Sequence, residues 1–343
     1  MKNKPTDFAY HLTNFLAKHL PGQQGRGTNT IKSYRDSFTL YLKYCRDGRG
    51  IKPESVTLGT ITAESVRDFL SWLENIRGCS VSTRNQRLAA FHSFFGYLQT
   101  ECTEYILLCQ TILAIDFKTA LKRTVGYLSF DAMQAILAQP NPESQAGLRD
   151  LALLSLLYDT GARVQELADL TVADVRLEYP ATIKLTGKGE KSRIVPLMSH
   201  TQEILHTYLS ANNLIQTHTR KNPLFCNRSK QKLTRAGIGY ILDKYVETAK
   251  TQSPTLFYEN ISPHKIRHSK AMHMLQSGIN LVYIRDLLGH VDIKTTEVYA
   301  RADSEMKRKA LEQAYAPAAP KISAAWHDNS DLMRWLQDLC KKN

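Results

Sequence analysis

The chain has 343 residues, 43% of them hydrophobic and 22% charged, with a formal net charge of +13 and a pI near 9.4. That length exceeds what a single hydrophobic core usually serves, so two domains are expected, and the composition excludes a disordered or fibrous chain. No stretch approaches the roughly 18 consecutive apolar residues of a membrane span, and no signal-peptide pattern is present, so a cytoplasmic protein without membrane contact is expected.

The positive charge is spread along the chain. Residues 1–118 hold 15 Lys and Arg against 10 Asp and Glu, and the remainder holds 30 against 22. Simple solubility charge would give such a surplus, but two basic halves also suit a polyanion that touches both domains. The cysteines Cys45, Cys79, Cys102, Cys109, Cys226 and Cys340 form no CxxC pair and no regular spacing, as expected of reduced, packed thiols.

Taken in chain order, residues 6 to 112 read as helices. Phe8, Leu12, Phe15, Leu16 and Leu20 form a helical stripe that Pro21-Gly22 is expected to end. A second helix covers Thr30 to Cys45, a third opens at Thr62, and Ser80 or Ser82 caps a fourth through Leu98. A weaker one covers Glu104 to Leu113. Arg35, Arg84 and Arg87 are expected on a basic outer face. A basic linker with Lys118, Lys122 and Arg123 follows. Ser129 caps a further helix, and Leu148 to Tyr158, apolar nearly all round, predicts a buried one. The β signal is confined to Val175–Tyr179, Ala181–Leu185 and Arg193–Leu197, with Gly187-Lys188-Gly189-Glu190 turning between the last two. Helices resume over His200–Asn212, Arg235–Lys250, Pro263–Ser277, Asn280–Leu288 and Ile293 to about Ala314. After Ala316-Pro317-Ala318-Ala319-Pro320 a last amphipathic helix, Asp331–Leu339, puts Leu332, Trp335, Leu336 and Leu339 on one side. The fold class is therefore mainly α with a small β-sheet.

The chemistry-bearing residues cluster late. Ser262-Pro263 is a helix-start signal, and it sets His264 and Arg267 on one face beside the free N–H groups of a helix N-terminus, where an anion fits. His264 and His268 have the i, i+4 spacing of metal ligands, but no acid lies between them and no cysteine cluster is near, so no metal is expected. Arg163 follows Thr160-Gly161 at the end of the buried helix, with Glu166 three residues on to orient it. Lys188 sits between glycines at a hairpin tip. Gly289 ends a helix, His290 leaves the turn, and Tyr299 lies two turns into the next helix. Each residue alone has an ordinary reading as an ion pair, a solvated lysine or a packing tyrosine.

Together they match one reaction. Displacement at a phosphodiester needs an oxygen nucleophile, charge stabilisation on the non-bridging oxygens and a proton for the leaving oxygen. Two arginines can clamp the oxygens bidentately, Lys188 can supply the proton, His264 or His290 can act as base, and Tyr299 can attack. Such a bond exchange uses no ATP, metal or other cofactor.

The ordered set Arg163, Lys188, His264-x-x-Arg267, His290, Tyr299 resembles the tyrosine recombinase family (phage-type integrases and Xer-like enzymes). Leu287-Leu288-Gly289-His290 with Thr295-Thr296-x-x-Tyr299-Ala300-Arg301 is its most recognisable segment, and Thr160-Gly161-Ala162-Arg163-x-x-Glu166-Leu167 and Thr186-Gly187-Lys188-Gly189-x-Lys191 are similar to its other boxes. Ala162, Gln165 and Lys270 depart from the commoner residues. The resemblance covers nearly the whole chain. It implies an N-terminal helical core-binding (SAM-like) domain at 1–115, a linker at 116–126, and a catalytic domain with a three-stranded antiparallel sheet at 127–316. Residues 317–343 would then be a linker and a C-terminal helix, exchanged between subunits or packed on its own domain. It further implies a DNA strand-transferase working through a 3′-phosphotyrosyl intermediate, with Arg163, Lys188, His264, Arg267 and His290 activating the phosphate, Tyr299 attacking and Glu166 in support.

Its partner would be double-stranded DNA with paired inverted sites, gripped on opposite faces by the two domains of a C-shaped clamp. Arg35, Ser82, Thr83, Arg84, Arg87, Lys122, Arg123, Lys191 and Arg193 would meet the DNA, with Ser82–Arg87 on a major-groove helix. A homotetramer on two sites is expected, with accessory DNA-bending or directionality proteins as further candidate partners. Integration, excision or transposition of a mobile element is the favoured role. The alternatives are a chromosome-dimer resolvase, a type IB topoisomerase-like relaxing enzyme, and a DNA-binding regulator that has lost catalysis.

Overall fold

The computed structural model describes residues 5–120, 126–187, 189–290, 294–302 and 334. Lys122, Arg123, Lys188 and the C-terminal helix expected at Asp331–Leu339, apart from Arg334, lie outside the described residues. The chain divides into two compact units, Met1–Arg123 and Thr124–Asn343. No described helix is long and apolar enough to cross a membrane.

The first unit is helical. Helix α1 (Asp7–Asn14) starts where the Thr6 side chain accepts a hydrogen bond from the Ala9 N–H. The chain does not stop at Pro21 as expected. It continues as a wider π-helical turn over Phe15–Gln23 that carries Pro21 inside, closed by Gln24 N–H donating to the His19 carbonyl. Widening the turn accommodates the missing proline N–H, so the apolar stripe stays in register through Leu20. Helix α2 (Thr28–Arg49) ends at Gly50, and α3 (Ala63–Asn75) opens with a reciprocal capping box between Thr62 and Ser65. Helix α4 (Val81–Glu101) takes Ser80 rather than Ser82 as its cap, and α5 (Ile106–Leu113) completes the unit.

Their shared core is aromatic. Phe15, Phe38, Phe69, Phe91, Phe94 and Phe95 are fully buried, and the buried Tyr41 hydroxyl is paired with Ser65 Oγ at 2.9 Å. The basic outer face needs correcting. Arg84 is only 6% exposed and donates to the Asp116 carbonyl and to Asn85 Oδ1, each at 3.0 Å. Arg87 is half-buried and donates to the Ser33 carbonyl and Ser37 Oγ. Helical periodicity alone could not show that α4 turns these arginines onto neighbouring chain.

In the second unit, α6 (Phe130–Leu137) is capped by Ser129, and α7 (Gln145–Thr160) is buried almost all round. Gly161, in the left-handed region, ends α7, and α8 (Val164–Asp169) begins three residues later. An antiparallel sheet follows in the order β1 (Val175–Arg176), β2 (Thr182–Thr186), β3 (Ser192–Pro196). Ile183 pairs with Val195 and Leu185 with Arg193, and Ile183, Leu185 and Val195 are buried. The first strand is shorter than its alternating pattern predicts, since only Val175 and Arg176 pair, with Ile183 and Thr182. Helices α9 (Ser199–Ala211), α10 (Arg235–Gln252), α11 (Pro263–Gln276), α12 (Leu281–Leu288) and α13 (Lys294–Ala302) complete the described chain. Helix α7 lies in the main core. Ala271, Met272, Leu275, Ile284, Leu288 and Tyr299 form a smaller cluster where α11, α12 and α13 meet.

Phe91 packs against Phe38, Tyr41, Phe69 and Phe95, so Phe91→Ala is expected to destabilise the first unit by about 3–5 kcal/mol. Denaturant unfolding followed by circular dichroism checks this, with a loss under about 1 kcal/mol contradicting the aromatic core.

Candidate active site

The site is assembled on the end of one helix. The last carbonyls of a helix have no partner within it and carry its negative pole. At the end of α12 three consecutive carbonyls each receive an arginine. Arg193 Nε donates to Leu287 O at 2.7 Å, Arg267 Nη2 to Leu288 O at 2.5 Å, and Arg163 Nη2 to Gly289 O at 3.3 Å. These arginines come from β3, α11 and the N-cap of α8, so three distant segments are drawn to one point. Gly289 itself has φ +65, and a Cβ there would sit 2.9 Å from Arg193 Nη1, so backbone conformation and space both require glycine.

Glu166 neutralises part of this charge. Its carboxylate, 3% exposed, accepts from the Arg163 backbone N–H (2.9 Å), Arg163 Nη1 (2.7 Å), Arg193 Nη1 (3.1 Å) and Arg193 Nη2 (2.8 Å). Burial alone would raise its pKa, but the bonds from Arg193 and Arg163 outweigh burial and hold it at about 2. A Cβ on Gly187 would sit 3.0 Å from Glu166 Oε1, so the loop end of β2 lies close against the site.

Arg267 is 3% exposed and also donates through Nη1 to Gly161 O at 2.5 Å, tying α11 to the end of α7. Burial, with Arg163 and Arg193 nearby, lowers its pKa to about 10, which leaves it charged at neutral pH. A guanidinium carries five N–H donors, and among the described residues Arg267 and Arg163 each commit two to these partners. Both therefore retain donors for an anion.

Tyr299 is 2% exposed. Burial raises its pKa, while Arg267 and Arg163 pull it back down. Its hydroxyl is hydrogen-bonded to Nδ1 of His268 at 2.7 Å, and its ring lies nearly parallel to that of His290, with centroids 6.4 Å apart. His290 Nδ1 pairs with Thr296 Oγ1 at 2.9 Å. Burial and the nearby Arg267 and Arg163 lower the His290 pKa to about 4, so its ring is neutral at pH 7. His264 lies on the more open first turn of α11. Partial burial and the positive Arg267, Arg163 and Arg235 push its pKa below the usual imidazole range.

Arg163, Glu166, His264, Arg267, His290 and Tyr299 are thus brought together. Lys191 is exposed on the hairpin, Ser82 is exposed at the head of α4 with Thr83 partly covered, and Arg35 is exposed but paired with Asp36. Arg193, expected to face DNA, instead turns inward to Glu166 and Leu287, because its strand position opposite Leu185 points it at α12. Sequence reasoning also passed over His268 as a partner of Tyr299. Its signal was adjacency, since one residue beyond Arg267 on α11 turns the side chain toward α13. Thr296, three residues before Tyr299, was likewise not singled out.

This constellation sits within a matched region. The phage integrase family pattern covers residues 126–306, and the family's N-terminal SAM-like domain covers 13–101. The chain belongs to the phage integrase family. As a member it is a tyrosine recombinase, an enzyme that cuts and rejoins DNA strands. Among relatives, the Sinorhizobium fredii protein y4rC, named as an integrase/recombinase, is 32% identical across 98% of this chain and 99% of its own. Tyrosine recombinase XerD of Oceanobacillus iheyensis is 32% identical across 87% of this chain and 95% of its own. The Tn1549 transposon integrase, solved in complex with transposon right end DNA, shares the fold with a TM-score of 0.67 at 16% identity. That match covers 89% of this chain and 99% of the integrase chain.

Glu166→Gln would leave Arg193 and Arg163 facing each other without a counter-charge, and is expected to destabilise the recombinase by about 3 kcal/mol at pH 7. Because the Glu166 pKa is depressed to about 2, its contribution is present above the ordinary carboxylate range and is lost as pH falls from about 4.5 to about 2. Urea unfolding across that range should show parent and variant converging, and a constant difference would contradict the charge argument.

Proposed function

We propose that the chain is a site-specific recombinase that cleaves DNA through a 3′-phosphotyrosyl bond to Tyr299 and rejoins the strands in exchanged order. What supports this most is that one buried phenol, Tyr299, bonded to His268 and stacked near His290, lies within the field of two guanidiniums, Arg267 and Arg163, which also act on His264. In the proposed step the Tyr299 oxygen bonds to phosphorus as the bond to the 5′-oxygen breaks. Arg163 and Arg267 hold the non-bridging oxygens, and neutral His290 and His264 hydrogen-bond the transition state. Lys188, next to Gly187 in the sequence, would protonate the leaving oxygen. The phosphotyrosine keeps the bond energy, so the reverse attack reseals the strand without a cofactor.

In this reading the DNA carries paired inverted sites and is bound by four copies of the chain. Exposed Arg35, Ser82 and Lys191 and the partly covered Thr83, with Lys122 and Arg123, contribute to the DNA-facing surface. The enzyme would work in the cytoplasm, where its DNA is. The favoured role is integration, excision or transposition of a mobile element; y4rC, matched across 98% of this chain, is named an integrase/recombinase.

Tyr299→Phe is expected to bind a recombination site with near-parental affinity and form no covalent adduct on a nicked suicide substrate; an adduct in that variant removes Tyr299 as nucleophile. Arg267→Lys should lose cleavage by about 100-fold or more, because an ammonium cannot reproduce the forked contacts to phosphate and to two carbonyls. Near-parental cleavage in a single-turnover assay would refute the clamp.

A further inference from the structure

Three histidines belong to the site, and their relations to Tyr299 differ. His290 presents its ring face to the Tyr299 ring and uses Nδ1 on Thr296. His264 sits on the open first turn of α11, and no hydrogen bond joins it to Tyr299 among the described residues. His268 alone of the three meets the phenolic oxygen, through Nδ1 at 2.7 Å. We propose that His268 is the base of the cleavage step: its Nδ1 accepts the Tyr299 proton as the phenolic oxygen attacks phosphorus. This rests on the reading above that Tyr299 is the nucleophile.

The direction of the hydrogen bond follows from satisfaction. A buried hydroxyl needs an acceptor for its hydrogen, and His268 Nδ1 is the partner of the Tyr299 hydroxyl among the described residues. An N–H at Nδ1 would leave the phenolic hydrogen with no acceptor among the described residues. Acceptance also requires a neutral ring. Burial, together with His264 and Arg267, pushes the His268 pKa below the ordinary imidazole value. Among the described residues, the charged and titratable groups that act on the pair are His264 and Arg267 on α11 and Arg163 at the head of α8, with the Glu166 carboxylate held on Arg163. The same cations that disfavour an imidazolium favour the phenolate, so proton loss from Tyr299 is assisted where phosphate charge arrives.

The step balances. The O–H bond of Tyr299 and the P–O5′ bond break, and the O–P bond and an N–H on His268 form. The 5′-oxygen takes its proton from a separate acid, which is Lys188 in the reading above. In resealing the imidazolium returns its proton to the departing phenol.

The test uses the full-length enzyme and a nicked suicide duplex, with Tyr299→Phe run alongside. His268→Asn keeps an acceptor oxygen near Tyr299 but cannot hold the proton. It should lower the adduct rate by about 100-fold or more while melting temperature and DNA affinity stay parental. The loss should persist on a 5′-bridging phosphorothiolate substrate, whose sulfur leaves without a proton, and the acid limb of the parental pH profile should vanish. A parental rate in His268→Asn, or a defect erased by the phosphorothiolate, overturns the proposal. An adduct in Tyr299→Phe sinks the underlying reading instead. Should His268→Asn melt early, nitrogen-15 NMR of the unaltered protein decides: Nδ1 unprotonated at pH 7 supports the proposal, and Nδ1 protonated overturns it.

Discussion

The buried Glu166 carboxylate is the interaction on which the rest of the site depends. Four N–H groups from Arg163 and Arg193 converge on it, and an anion so held permits cations to be packed where water is excluded. The three exposed carbonyls at the end of α12 supply the remaining negative potential. Without both, the positive charges of Arg163, Arg193 and Arg267 would repel one another unopposed. With both, they become the joints that fix α8, β3 and α11 to α12.

In the proposed reading, this arrangement lets the site exist before its substrate arrives. The backbone at Leu287, Leu288 and Gly289 is fixed by three side chains, so the direction in which the chain leaves toward His290 is set. Tyr299 is then held from two sides, by packing in the α11–α12–α13 cluster and by the His268 hydrogen bond. Positive charge from Arg267 and Arg163 opposes the effect of burial on its phenol. Binding energy from DNA need not be used to assemble these groups, which is how preorganised electrostatics lowers a barrier.

Much of this was legible in the sequence, for identifiable reasons. Helix starts at Thr62, Ser129 and Ser262 were marked by side chains that do accept the expected backbone N–H. The order of Arg163, His264, Arg267, His290 and Tyr299 pointed to groups that a phosphoryl transfer would need together, and the fold places Arg163, Arg267, His290 and Tyr299 around the end of α12. What was not legible depended on packing between segments far apart in sequence. The inward turn of Arg193 and the burial of Arg84 are set by the partners α12 and Asp116, which no local pattern encodes. Pro21 misled because a π-helical turn can absorb a proline that would stop an α-helix. His268 was hidden by its neighbour, since spacing marks a helix face and not which groups a facing helix brings to it.

The most direct measurement of the central claim is the chemistry of the attachment itself. A covalent complex trapped on a nicked duplex, digested and analysed by mass spectrometry, should carry the DNA 3′-phosphate on the peptide containing Tyr299, bonded through its phenolic oxygen. Attachment at another residue, or through a 5′-phosphate, would contradict the account.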